Sequence, residues 1–362
     1  MNALIMDKDF KSVAVIDDYE SFIWTDRYCG YGDFELYAPV SAAFFDHTKD
    51  GYYIYSNDSE HTMIIEKNDI ESDAEEGSHV TVTGRSLESL LDRRIIWAQT
   101  TITGSLQDGI KKLLNENIIS PSDAKRKIPN FIFKESTDER VTKLTVDAQY
   151  TGDNLYDAIK SLCETNELGF KVVLNSDLKF EFSLYFGSDR SYNQKTLPYV
   201  IFSPNFENLV NSNYYESSAE LKNVALVGGE GEGSDRKFKS IYGNGAEEFP
   251  SGLDRRELFV DARDLSTKTS DRTLSTAEYN AQLEQRGYDK LGENTASTGF
   301  EGDIENTELF SYGKDFFVGD IVQIQNEYHI KATTRVDEVV ISDSSTGTTI
   351  VPTFSTPTLT KS

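Results

Sequence analysis

The sequence predicts an α+β chain that is mainly β: two related antiparallel β-barrel domains, an α+β domain between them, and a helical insertion in the second barrel. Three observations carry this. Short alternating apolar stretches bounded by Gly, Asn, Asp and Ser dominate the first and last parts of the chain. Residues 10–40 match residues 197–227 without a gap, at an offset of 187. Between and inside these two copies the apolar period changes to helical spacing.

Taken in order, residues 10–40 are rich in β-branched and aromatic residues and are broken by Asp17-Asp18 and by Gly30 and Gly32, which reads as strands and turns. "GYYIYS", "HTMIIEKNDIES" and "HVTVTG" continue the pattern to Gly84. Leu87, Leu90 and Leu91 then recur at helical spacing behind Ser86, a residue type that caps a first turn, and a short helix closes the first barrel, residues 1–97. From residue 98 an amphipathic helix carries Leu106, Ile110, Leu113 and Leu114 behind Ser105 and Asp108. A second carries Leu155, Ile159 and Leu162, with Gly169 as its C-terminal stop. "TKLTVDAQY" and "FKVVLNSDLKFEFSLYF" supply strands to this α+β domain, residues 98–196. The second barrel takes residues 197–228 and 306–362, and residues 229–305 form an inserted loop and helical domain whose Ser275 and Glu278 make a capping box.

The repeat is carried by pattern more than by identity. Val13/Val200, Glu20/Glu207, Tyr28/Tyr215, Ala38/Ala225 and Val40/Val227 are identical. Tyr19/Phe206, Phe22/Leu209, Asp26/Asn213, Asp33/Glu220 and Phe34/Leu221 keep polarity class. In a strand a slip of one residue exchanges the two faces, so a gapless match means that the same faces are buried. Further on, "GYYIYSNDSEH" from Gly51 matches "GDIVQIQNEYH" from Gly319, and "HVTVTG" matches "GTTIVP", at an offset of 268. The offsets of 187 and 268 differ by 81 residues, the extra chain that the second copy carries between its matched segments. Two similar β units per chain suit a ring in which three chains present six units, true threefold and approximately sixfold.

Composition narrows function by exclusion. Lys plus Arg number 36 against 61 Asp plus Glu, a formal charge of −25, which repels phosphate backbones and argues against specific nucleic-acid binding. Cys29 and Cys163 are too few and too far apart for a disulfide framework. No apolar run approaches the ~18 residues of a membrane span, and "MNALIMDKDFKSVAV" lacks the pattern of a secretory leader, so a soluble chain is expected. His47, His61, His79 and His329 show no metal-ligand spacing, and no metal or cofactor is expected. "GGEGEG" misses the register of a phosphate loop, and Glu230 and Glu232 would repel an anion. No pair of carboxylates stands out for glycosidic cleavage. Cys163, beside Leu162 on an apolar helix face, suits burial better than nucleophilic attack. The reading is therefore non-enzymatic.

"AVIDDYESFIWTDRYCGYGDFELYAPV", "TVTGRSLESLLDRRIIWAQT" and "YGKDFFVGDIVQI", in that order and at these separations, resemble the tail-hub, or tail-associated (Tal), proteins of long-tailed bacteriophages. The family is similar in architecture to the central hub of contractile phage baseplates. The resemblance implies a homotrimer at the tail tip, with two barrels per subunit lining a channel. Its partners would be the distal tail protein ring, the tail tube and the tape-measure protein, and DNA would pass through without specific binding. It also implies a virion component assembled in the host cytoplasm. The sequence ends soon after the second barrel, so the resemblance does not extend to the fibres or cell-wall hydrolases of longer relatives. A tail-tip hydrolase and a host-receptor module are the alternative readings.

Positions that differ between the copies are the candidates for copy-specific contacts: Trp24 opposite Asn211, Arg27 opposite Tyr214, and Cys29 opposite Glu216. Trp and Arg are enriched at interface hot spots, so Trp24, Arg27 and Tyr214 are the expected subunit or ring contacts, with a core role for Trp24 as the alternative.

Overall fold

The computed structural model describes residues 1–40, 42–73, 77–209, 211–268, 272–303, 309–326, 328, 331–355 and 358–359. Strands β1 (Ala3–Met6), β2 (Ser12–Ile16), β3 (Ser21–Arg27) and β4 (Asp33–Pro39) precede helix α1 (Ala42–His47) and strands β5 (Tyr53–Ser56), β6 (Thr62–Asp73) and β7 (Gly77–Ser86). Next come β8 (Thr100–Ser105), α2 (Leu106–Leu114), β9 (Phe131–Lys134), α3 (Glu139–Thr142), β10 (Thr145–Tyr150), α4 (Leu155–Thr165), β11 (Gly169–Leu174) and β12 (Phe180–Tyr185). The chain continues through β13 (Ile201–Phe202), β14 (Asn211–Ser217), β15 (Val224–Gly228), β16 (Phe238–Tyr242) and β17 (Glu257–Asp261) to α5 (Thr276–Gly292). It closes with β18 (Ser297–Asp303), β19 (Ile321–Gln325), β20 (Lys331–Ser344), β21 (Gly347–Phe354) and β22 (Thr358–Leu359).

These elements make two compact units. One comprises Met1–Ser89, Gly169–Tyr215 and Thr298–Ser362, the other Leu90–Leu168 and Glu216–Ser297. In the first unit, the strands of both copies belong to one sheet of 14 strands, and no sheet among the described residues closes into a barrel. A small β unit must hide its edges. Here β3 of the first copy hides its edge by pairing with β20 of the second instead of curling back on its own copy.

The duplication is legible in strand order. The first copy runs β3-β4-β7-β6-β5 and the second β14-β18-β21-β20, with β19 on β20. The long strands β6 and β20 share a register shift, between Ile65 and Lys67 in one and between Val336 and Glu338 in the other. Gly51 and Gly319, matched at the offset of 268, both have a left-handed backbone, with φ of 76° and 94°.

One part of the expected alignment is corrected. β15, which contains Ala225 and Val227, lies between β16 and β17 in a separate sheet and is not the counterpart of β4. The counterpart is β18. Phe300 pairs with Phe354 as Phe34 pairs with Gly84, so Phe34-Glu35 answers to Phe300-Glu301. The extra chain therefore begins after β14 and ends before β18. The reason is that β15 buries alternate residues as any half-covered strand does, and a period of two cannot tell one such strand from another.

Ser105 accepts from the backbone of Asp108 at 3.3 Å to cap α2, and Ser275 and Glu278 form the capping box of α5. The short helix after Ser86 is a 3-10 turn over Leu87–Arg93, with Leu87 and Leu91 fully buried. α4 ends not at Gly169 but at Thr165, and Glu167 takes the left-handed conformation, φ 52°. Gly169 serves packing instead, since a Cβ there would lie 2.2 Å from the ring of Tyr28. In the second unit α5 buries Tyr279, Leu283 and Leu291, and these pack with Val227 and Ile241 of the β15 sheet.

Candidate assembly interface

The seam between β3 and β20 is where the two copies meet. It is antiparallel, with Arg27 opposite Glu338, Trp24 opposite Ile341 and Ser21 opposite Ser344. On its core face Trp24 and Phe22 are fully buried, the rings edge to face at 5.9 Å, and Ile341 is 2% exposed. At one end the Arg27 guanidinium bridges the copies, 2.5 Å from Glu338 and 2.5 Å from Asp33. At the other the Tyr19 hydroxyl donates to Asp343 at 2.5 Å, and burial together with that carboxylate pushes the phenol well above its usual range.

Beneath the seam lies a buried polar cluster. Asp26 accepts from Trp24 Nε1 at 2.9 Å, from Ser59 Oγ at 2.9 Å and from the Tyr312 hydroxyl at 2.7 Å, so a residue of each copy holds the same carboxylate. Nearby, His61 Nδ1 lies 3.3 Å from Glu88 Oε1, an ion pair off the hydrogen-bond direction. Glu88 also accepts from Ser86 Oγ and from the backbone of Val172 at 2.7 Å. Burial opposes the imidazolium, but Glu88 and Asp26 outweigh it and raise its pKa to about 9. Burial likewise opposes the Glu88 carboxylate, and His61 prevails in holding it below its usual range. Removing one partner of such a buried pair leaves the other charge uncompensated and is strongly destabilising.

The sheet also has open edges. β14 is its end strand, paired only with β18 among the described residues. β6 is covered by β5 only at Thr62, Met63 and Ile64, so residues 67–73 keep one edge without a strand among the described residues.

The expected contact residues fall into two places. Trp24 and Arg27 lie in the seam within the chain, and Tyr214, half-buried, lies on the end strand β14. Cys29 is half-buried and bridges to Phe170, while Cys163 is buried on α4. His79 stacks on Tyr37 and contacts Glu20 at 2.9 Å, well separated in role from buried His61, and His329 lies outside the described residues. Glu230 of the glycine-rich loop accepts from the backbone and hydroxyl of Thr267, a loop clasp. Sequence reading overlooked Asp26, Glu338 and Ile70. The aligned pair Asp26/Asn213 was the available signal for the first, and an isolated apolar residue in "KNDIES" for the last.

The chain shares its fold with solved tail proteins. It matches the prophage MuSo2 43 kDa tail protein of Shewanella oneidensis at 12% identity and TM-score 0.59, covering 98% of each chain. It matches the tail protein of Neisseria meningitidis MC58 at 13% and 0.58, covering 98% of this chain and 96% of that one. Prophage tail protein gp18 of Listeria monocytogenes EGD-e aligns at 10% and 0.55, over 98% and 94%. No curated protein matches the chain. The resemblance to long-tailed phage proteins thus holds at the level of family as well as fold, because residues 2–354 match one family model throughout: the chain belongs to the Siphovirus ReqiPepy6 Gp37-like protein family.

Proposed function

We propose that this chain is a non-enzymatic structural hub at the tail tip of a phage or prophage. Three chains form a homotrimeric ring in which six similar β units give approximate sixfold symmetry, each unit acting as one of the two barrel domains expected from the sequence. The ring closes the tail tube, meets the distal tail protein and the tape-measure protein, and opens to pass DNA along a negatively charged wall. The assembled particle forms in the host cytoplasm. Trp24 and Arg27 make the unit-to-unit contact within a chain, and Tyr214 lies on the strand that makes it between chains.

The observation that carries this reading is the repeated strand order within one sheet, in which one seam joins the two copies and each copy has an edge that no strand covers among the described residues. Repetition of a contact around an axis is the economical way to use such edges. The description of the related solved chains as tail proteins supports the location. Light scattering of the purified chain, alone and with a distal tail protein, tests the ring: a trimer mass is expected, and a chain that stays monomeric in both samples refutes it. Incubation with purified peptidoglycan tests the hydrolase alternative, and steady release of fragments would favour it over the hub.

A further inference from the structure

We infer that residues 67–73 of β6 are the docking edge for β14 of a second copy of this chain, in the antiparallel arrangement that β20 and β3 adopt inside one copy. The inference rests on the ring reading above and names its contact.

Counted from their shared register shift, Lys67 of β6 answers to Glu338 of β20, and Ile70 answers to Ile341. β3 binds β20 along the stretch from Glu338 to Ser344, beyond the end of β19. The matching stretch of β6 begins beyond the end of β5 and is the open one. Ile70 shows that the edge is unfinished. It sits on the core face, opposite fully buried Val80, and yet is 43% exposed, whereas Ile341 is covered by Trp24 and is 2% exposed. An open edge carrying an apolar residue is a template for strand addition.

Charge selects the occupant. Within the chain Arg27 of β3 meets Glu338. At the equivalent place β6 carries Lys67, so a β3 strand from a neighbour would set Arg27 against a like charge. β14, "NSNYYES", carries no cation, and at the offset of 187 its Tyr214 answers to Arg27. In the same register Tyr214 comes opposite Lys67, so this strand sets no like charge against it. Because β14 and β6 are different surfaces, the contact is head to tail, the kind that makes a ring when successive rotations add up to a full turn.

Sedimentation velocity and backbone hydrogen exchange of the full chain test this. Self-association is expected, with slowed exchange at residues 67–73 and at Asn211–Ser217 relative to the dilute monomer. Ile70→Asp, at an exposed site, and Lys67→Glu should each weaken association by about tenfold while melting temperature stays unchanged. Lys67→Glu combined with Tyr214→Lys should restore it. An oligomer in which both edges exchange as in the monomer, or in which the charge swap fails to rescue, overturns this contact and leaves the ring reading standing. A chain that does not associate at any soluble concentration overturns both.

Discussion

The β3–β20 seam and the open edge of β6 are two versions of one surface. Both continue a long strand past a register shift, and both place an isoleucine three residues on from a charged one. In the seam the isoleucine is covered and the charge is paired with Arg27; on β6 the isoleucine is 43% exposed and Lys67 pairs with its own neighbour Asp69, at 2.6 Å. The difference teaches that exposure has to be judged against the position's twin. An exposed isoleucine alone is ordinary, but one whose internal counterpart is buried under a tryptophan marks a contact the single chain leaves unmade.

The strongest way to break the comparison is on the buried side. Trp24→Ala empties the seam's centre and should destabilise the fold by about 3–5 kcal/mol, read by chemical unfolding, because a large cavity opens among residues that cannot close over it. A loss below about 1 kcal/mol would mean that the seam is not a core.

Next in size is the His61–Glu88 pair. The folded pKa of His61 is about 9, above its ordinary value near 6.5, so its stabilising contribution is complete below about pH 6.5 and fades as pH rises through 9. Unfolding free energy should fall by roughly 3 kcal/mol across that window, the equivalent of the shift. His61→Gln should flatten the curve, and an unchanged slope in that variant would assign the pH dependence elsewhere.

Smaller still is the Arg27 bridge, which is about one-third exposed and screened by solvent. Arg27→Ala should cost about 1 kcal/mol and lose part of that cost in high salt, as melts at two ionic strengths would show. Least of all, Ile70→Ala should change the stability of the single chain by no more than about 0.5 kcal/mol. A large loss there would show that Ile70 already has a covering partner within its own chain.

Much of this was written in the sequence. The turn at Gly51 and Gly319 and the next strands, β5 and β19, keep the offset of 268, since the turns require glycine and the hairpins require alternation. Beyond them Ile65 answers to Val336 and Gly84 to Phe354, not to Pro352 as the match of "HVTVTG" with "GTTIVP" implies. The capping residues Ser105 and Ser275 mark their helices because few other side chains satisfy free backbone N–H groups there. The stretch around Ala225 misled for the opposite reason: its alternation is generic, and only pairing shows which sheet a strand joins. Of the contact residues, Trp24 and Arg27 stood out as differences between copies, but nothing in the sequence said that their partners are Ile341 and Glu338, more than three hundred residues away.

By itself, then, the amino-acid sequence determined the periodicities, the turns, the caps, the negative charge and the existence of a doubled β unit, because each is set by neighbours along the chain. Tertiary structure alone decided which edges pair and which stay open, that the two copies merge into one sheet, and that Asp26, Glu88 and His61 lie buried. Those outcomes depend on distant backbone groups competing for the same hydrogen bonds, and on charges finding partners that local spacing does not specify.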